Sequence, residues 1–507
     1  MYDLGKTQRD YAVYLPAISS FYVKQLHSIA EKGGRVPEGF ELGHEGMDFL
    51  KDQDSYYHYP WGLYSAGHAQ LDLNKLDGEP MITNRDKKKT MILGDSGGFQ
   101  IATGVIKMDW KNAIDPNDPA REELVDKILK WEEEQCDWAM TLDIPPFAAF
   151  PPNNKKTGLE SFEQTMQISL YNLDYYMKNR TPGKCKFLNV MSGIDEPTCD
   201  EWYENVKHFS DPKFCQDAYG NSELALEGYA FADLQKRNMR MTLRRILKLR
   251  EDGLLKDKGW IHFLGTGKLN WACYLTSIQR MLRKHDSPEI MLSMDAASPF
   301  VNSAYGSTYT HNSFHPKKFS YLMDSAIDTQ TLKGSDLPMP FAHSPIMSRL
   351  TAGDICAMEE GDEDKNGKAK GPDSTSWDTQ SYLYYMGHSV YNHITAVQEA
   401  NRLADVEAYR QPLNFRDYVK TKKSSSTNEY SPYVPATVGY FDDFCKTVLD
   451  PACPNPYELI EQNAALLDDM SFGAKTNSGF GAFFEEEEFS EDNEEMMNED
   501  ISKIIEG

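Results

Sequence analysis

The stretch Thr90–Gly97, TMILGDSG, is a short apolar run that ends on a carboxylate and then turns at a glycine. The same grammar returns in WAMTLDIP at 138–145, KFLNVMSG at 186–193, GYAFADL at 228–234, WIHFLGTG at 260–267 and EIMLSMDAA at 289–297. Runs of this length bounded by glycine or proline read as buried strands. Between them lie longer segments with helical spacing of apolar residues: REELVDKILKWEEE, SFEQTMQISLYNLDYYMKN, MRMTLRRILKLRE and WACYLTSIQRMLRK. The alternation predicts parallel βα units, which a closed barrel and a doubly wound sheet both satisfy. The placement of polar residues favours the barrel. Asp95, Asp143, Ser192, Asp233 and Asp295 each end a predicted strand, and convergence of such groups onto one face is how a TIM-type (β/α)8 barrel builds a site.

Around this core, the length of 507 residues allows two or three domains, or one barrel with additions. The expected organisation is an α/β barrel over 1–410 carrying a large insertion at 307–380, then a C-terminal extension at 411–475 and an acidic, disordered tail at 476–507. No repeat of fixed period points to a solenoid. With 40% hydrophobic, 12% aromatic and 26% charged residues the chain is globular, not collagen-like, coiled-coil or disordered as a whole. It lacks the apolar run of about 20 residues that a membrane helix needs, and MYDLGKTQRDYAVYLP lacks that of a signal peptide. A soluble, cytoplasmic protein is expected. The eight cysteines, at 136, 185, 199, 215, 273, 356, 445 and 453, form no CxxC pair, so buried reduced thiols are expected rather than a disulfide framework or a structural zinc site.

Charge is uneven. Fifty-three basic against 78 acidic residues give −25, and the segment Glu485–Gly507, with eleven acids and one lysine, supplies −10 of it. This balance argues against a generally basic nucleic-acid binder. Locally, however, seven basic residues and no acid lie between Lys236 and Arg250. They predict an amphipathic helix on which Arg240, Arg244 and Lys248 are candidate phosphate contacts; Lys87 and Lys88, with Lys89, form a second cluster. An outer barrel helix with solvated charges is an equal reading, because such helices lie away from the mouth. The segments 359–376 and 421–433 read as exposed loops on either side of a helix, SVYNHITAVQEANRLAD.

Two words carry the chemistry: LGDSGGFQ, Leu93–Gln100, and MDAASPFVNSAYG, Met294–Gly306. Gly97 and Gly98 permit close approach of backbone to a ligand, and Phe99 offers a flat face for stacking. Taken alone, Asp95 reads equally as a helix cap. DSGGFQ resembles the substrate loop of tRNA-guanine transglycosylases, and the second word resembles their nucleophile segment D-x-x-x-P-x-x-N-x-x-x-G, with Asp295, Pro299, Asn302 and Gly306 in its places. TLDIPP, VMSG, GYAFADL and HFLGTG resemble further words of that family in the same order, so the likeness spans roughly 84–306, with a weaker echo near Tyr391.

The resemblance implies base exchange at a glycosidic carbon. Asp295 would attack C1′ and form a covalent glycosyl-enzyme, while Asp95 would protonate departing guanine and deprotonate the incoming base. Asp143 would bind the donor edge of the base. Phe99 and Leu264 would form the sides of a slot, with Gly265 permitting close approach, and Ser192, Gly193 and Asp233 would complete base binding. Three departures stand out. Met191 replaces the family's glutamine, and Ala232-Asp233 replaces its Gly-Gly. The zinc motif CxCxxC is missing, so no metal and no cofactor is expected; His311 and His315 read as loop residues. The segment after the nucleophile is long, as if a different grip on the polymer replaced the zinc subdomain. In these respects the chain is similar to the branch associated with bacteriophages and genomic islands, which exchanges guanine in DNA for 7-deazaguanine derivatives. Expected partners are therefore DNA, a free base such as preQ0 or preQ1, and helper proteins or a second copy, with no membrane, in the host cytoplasm if phage-encoded. The alternatives are the same chemistry on tRNA, a non-catalytic nucleic-acid-binding subunit, and an ordinary barrel binding a phosphorylated ligand.

Overall fold

The computed structural model describes residues 10–315, 318–340, 343–363, 368–406 and 434–471. Eight parallel strands form a nearly closed cylinder: β1 (Val13–Pro16), β2 (Trp61–Ser65), β3 (Met91–Asp95), β4 (Trp138–Met140), β5 (Lys186–Met191), β6 (Gly228–Phe231), β7 (Trp260–Phe263) and β8 (Met291–Ala296). The strands are buried on both faces, as helix-covered parallel strands must be, which is why they read as continuous apolar runs. The six runs quoted above are β3 to β8; β1 and β2 complete the ring. Closure comes through Ala17 paired with Leu63, where the Ile18 amide donates to the Leu63 carbonyl at 2.9 Å.

The predicted helices form close to their expected limits, at Pro119–Gln135, Phe162–Asn179, Met239–Glu251 and Leu269–His285. Local chemistry fixes their starts. Asp118 accepts from the Arg121 amide at 2.7 Å ahead of Pro119, and Asn238 accepts from the Met241 amide at 3.1 Å.

Three tryptophans, each the first residue of its strand, plug the lower end of the cylinder: Trp138 and Trp61 lie edge-on to Trp260, at 5.4 and 6.2 Å. Around them the strand starts are stitched by paired charges. Arg85 donates to Asp137 at 2.7 Å, and Asp137 also accepts from the Ile92 amide; Arg180 donates to Glu227 at 2.6 Å, and Glu227 accepts from the Phe187 amide.

After β8 comes a short helix, Ser298–Ala304, and then an antiparallel hairpin of β9 (Ser307–His315) and β10 (Lys318–Ser325). His311 and His315 are thus strand residues and not loop residues as expected. The helix predicted at Ser389 begins earlier, at Thr379, where Asp378 caps it and pairs with Arg35 at 2.8 Å, and runs to Ala404. Within the expected extension, the helices Ala436–Val448, Pro456–Gln462 and Ala464–Met470 join the outer layer. Trp271 donates to the Met470 carbonyl at 3.0 Å and Ser277 to Asp442 at 2.8 Å. The loop at 421–433 and the acidic tail at 476–507 lie outside the described residues. No helix among the described residues is long and apolar enough to cross a membrane.

A carboxylate-lined cavity at the barrel mouth

Because the strands are parallel, their C-terminal ends share one rim, and a cavity of about 640 Å3 opens there. Asp95, Phe99, Asp143, Asp233, Leu264 and Gly265 all line it. Phe99 follows β3 and Leu264 follows β7, on opposite sides of the ring. The hairpin roofs one side with Tyr309, Lys318, Phe319 and Tyr321, and the long helix contributes His393.

The DSGGFQ turn is built by its glycines. Gly97 has φ 86°, in the left-handed region, and a Cβ on Gly98 would stand 2.7 Å from the Asp143 carbonyl and 3.2 Å from its carboxylate. The loop after β3 is thereby pressed onto the end of β4. Burial pushes the Asp95 carboxyl up from its ordinary range, with the charge of Asp295 acting the same way, against hydrogen bonds from Ser65 and the Gly97 amide and the pull of His262. Asp143 is pushed up to about 8, first by burial and then by the charges of Asp233 and Asp95.

Asp295 is 1% exposed. Its Oδ1 accepts from the Gly265 amide at 2.6 Å and from His262 Nε2 at 3.1 Å. Behind His262, Nδ1 meets Ser293 Oγ at 2.7 Å, and Ser293 accepts from Trp260 Nε1 at 2.6 Å. An ionised carboxylate can only accept, so the ring carries its proton on Nε2, aimed at Asp295, and Nδ1 accepts from the Ser293 hydroxyl. Both hydrogen bonds fall on Oδ1, and Oδ2 accepts none among the described residues. Gly265 therefore does more than permit close approach, since its amide holds the carboxylate.

The other expected base-binding residues divide. Asp233 lines the cavity, is 5% exposed and accepts from the Ser192 hydroxyl at 2.5 Å. It stands at φ 46°, a conformation that glycine adopts freely and aspartate tolerates. Ser192 and Gly193 are not on the wall and act through this turn. Gly193, at φ 129°, packs against Cys199, where a Cβ would meet backbone at 2.6 Å. None of Asp95, Asp143, Asp233 and Asp295 lies within ion-pair distance of a lysine or arginine among the described residues. Among the described residues the basic side chain paired with this set is His262, on Asp295.

The five expected phosphate contacts do not reach this mouth. Lys87 and Lys88 precede β3 at the opposite end, and Lys87 donates to the Glu134 carbonyl. Arg240 pairs with Glu461 at 2.7 Å, Arg244 with Glu196 at 2.7 Å and Lys248 with Asp252 at 3.0 Å, so acids of the outer layer cover the basic face. Two members of the same run, Lys236 and Arg237, do line the cavity, joined by Lys268 and Lys318. Their place at the first turns after β6 was the available signal. His262 was legible only as an inward-facing polar residue within an apolar strand. Among the described residues no group of three or more His, Cys, Asp or Glu is arranged to hold a metal, and the cysteines form no disulfide.

No protein-family model matches the chain, and no curated protein matches it.

Proposed function

We infer that the protein exchanges guanine in a polynucleotide, DNA by preference, for a free 7-deazaguanine base through a covalent glycosyl-aspartate. The observation that carries this reading is a set of carboxylates with no lysine or arginine partner among the described residues: Asp95 and Asp143 line one cavity whose volume suits a nucleobase, and Asp295, 1% exposed and held by His262, stands at the end of β8 directly behind the lining residues Gly265 and Ala296. Buried carboxylates without cations are costly to keep as a structural feature and useful only when a ligand or a reaction needs them.

The residues divide the work. Asp295 Oδ2, the oxygen that His262 and Gly265 leave free, attacks C1′ as the bond from C1′ to N9 of guanine breaks. The departing base takes a proton from Asp95, whose raised proton affinity suits it to hold one until then. After the bases change places, Asp95 accepts the proton from N9 of the incoming base, N9 attacks C1′, and the aspartyl ester returns to a carboxylate. Two displacements at one carbon retain its configuration. Asp143 gives up to solvent the proton that it carries before the base binds and then accepts from the N1–H and 2-amino donors of the base, and Phe99 and Leu264 close over its faces. DNA is preferred over tRNA on the likeness to the DNA-modifying branch alone.

The test is incubation of the full chain with labelled guanine and either duplex DNA or tRNA. Label entering DNA is expected. Label entering tRNA alone removes the DNA assignment, and no label in either, with no covalent complex, removes the exchange reading itself.

A further inference from the structure

Strand order constrains how a guanine would lie between Asp295 and Asp143. β8 and β4 stand four strands apart in either direction round the eight, so a flat base spanning them divides the mouth into two halves. Asp95, at the end of β3, lies in one half; Ser192 and Asp233, after β5 and β6, lie in the other. This inference rests on the guanine-exchange reading, in which N9 faces Asp295 and the N1–H and 2-amino donors face Asp143. The N3 edge then fills one half of the mouth, and the edge bearing O6 and position 7 fills the other. A 7-deaza base has carbon where guanine has N7. A group that trades protons with both bases must therefore serve the N3 and N9 side that they share. That side belongs to Asp95, and position 7 is delivered to Asp233.

Asp233 is built to receive a donor there. Its carboxylate is on the cavity wall, 5% exposed, and no lysine or arginine among the described residues is within ion-pair distance of it. The Ser192 hydroxyl supplies one hydrogen bond at 2.5 Å, which leaves acceptor capacity on a carboxylate that can take about four. A helix-cap role does not account for it, because the helix Asp233–Arg237 starts without a side-chain cap. A buried charge in this state is satisfied by a ligand that brings its own cation.

We propose that Asp233 reads the substituent at position 7 and selects an incoming 7-deazaguanine carrying a cationic donor there, such as an aminomethyl group, over one carrying a neutral nitrile. An ammonium donates to the carboxylate and cancels its charge. A nitrile nitrogen has only a lone pair to offer and meets the carboxylate acceptor to acceptor.

The experiment compares kcat/KM for 7-aminomethyl- and 7-cyano-7-deazaguanine, using whichever polynucleotide accepts labelled guanine, in the wild-type chain, Asp233→Asn and Ser192→Ala. A charge-assisted hydrogen bond corresponds to a preference of about tenfold to a hundredfold for the aminomethyl base in the wild type. Asp233→Asn brings that ratio to about one, through the KM of the base, whereas Ser192→Ala keeps the preference because the carboxylate remains. The ratio is internal to each protein, so a general loss of activity cancels. A wild-type preference for the nitrile base, or an unchanged ratio in Asp233→Asn, overturns the proposal. Should Asp233→Asn fail to fold, the wild-type ratio still decides. Absence of any exchange with either base instead brings down the exchange reading, and this proposal with it.

Discussion

The two ends of the cylinder handle buried charge in opposite ways. At the lower end two carboxylates that hold strand starts each carry a guanidinium, Asp137 with Arg85 and Glu227 with Arg180, and tryptophans fill the space between. At the mouth, Asp95, Asp143, Asp233 and Asp295 collect with no guanidinium or ammonium in ion-pair distance among the described residues, and His262, which pairs with Asp295, is tethered to the floor through Ser293 and Trp260. The same strands thus spend one end on stability and the other on a charge pattern that opposes it, as expected where function sits on a barrel.

Breaking each end separately should give different failures. The largest effect belongs to the mouth: Asp295→Asn removes the attacking oxygen, and exchange is expected to fall at least about 10⁴-fold with loss of any covalent complex on a denaturing gel. The melting temperature should hardly move, and undiminished turnover would end the nucleophile assignment. Next comes the floor. Trp138→Ala empties the plug and should cost about 3–5 kcal/mol in denaturant unfolding while the folded fraction keeps its kcat. His262→Phe tests the tether between the two ends. It removes one of two donors to Asp295 Oδ1, so kcat should drop about a hundredfold with KM unchanged; a change in KM alone would make His262 a base contact instead.

The smallest effect is a pH signature. Asp143 is held near 8, against an ordinary value of 3.8, so the folded chain keeps its proton across that interval while the unfolded chain has released it. The folded state then binds more protons, and stability declines as pH rises from about 4 to about 8. Asp143→Asn removes this loss. Its melting temperature relative to wild type should climb by a few degrees across the same window, and a constant difference would mean that Asp143 is ionised throughout.

Most of the mouth was legible in sequence because a parallel strand that must be apolar advertises any polar residue at its end. Asp95, Asp143, Asp233 and Asp295 stand out for that reason, and helix spacing located Met239–Glu251 to the residue. Two strands escaped. β1 is four residues, VYLP, with no polar end, and β2, WGLYS, follows a segment rich in tyrosine and acid that hides its start. The basic run was legible as a helix, with phosphate contact and an outer barrel helix as equal readings, since nothing local says that Glu461, from more than two hundred residues away, will pair with Arg240 and Arg244. Tertiary ion pairs have no period to read. His393 is similar: stacked at 4.3 Å on Tyr14 and tilted against Tyr321 at the same distance, it is placed by distant segments.

One feature of the ring bears on how the two principal acids meet. Neighbouring strands of the ring are zipped by two to five residue pairs, except that β1 and β2 are joined by one bridge, Ala17 with Leu63. Asp295 rides on β8, zipped to β1, and Asp95 on β3, zipped to β2, so this thin join falls between them. Backbone pairing therefore constrains the ring least at that point. The separation of Asp295 from Asp95 is thus the dimension of the mouth that strand pairing holds least, while the side from β4 to β7, which leads to Asp143, Asp233 and Leu264, is paired without a break.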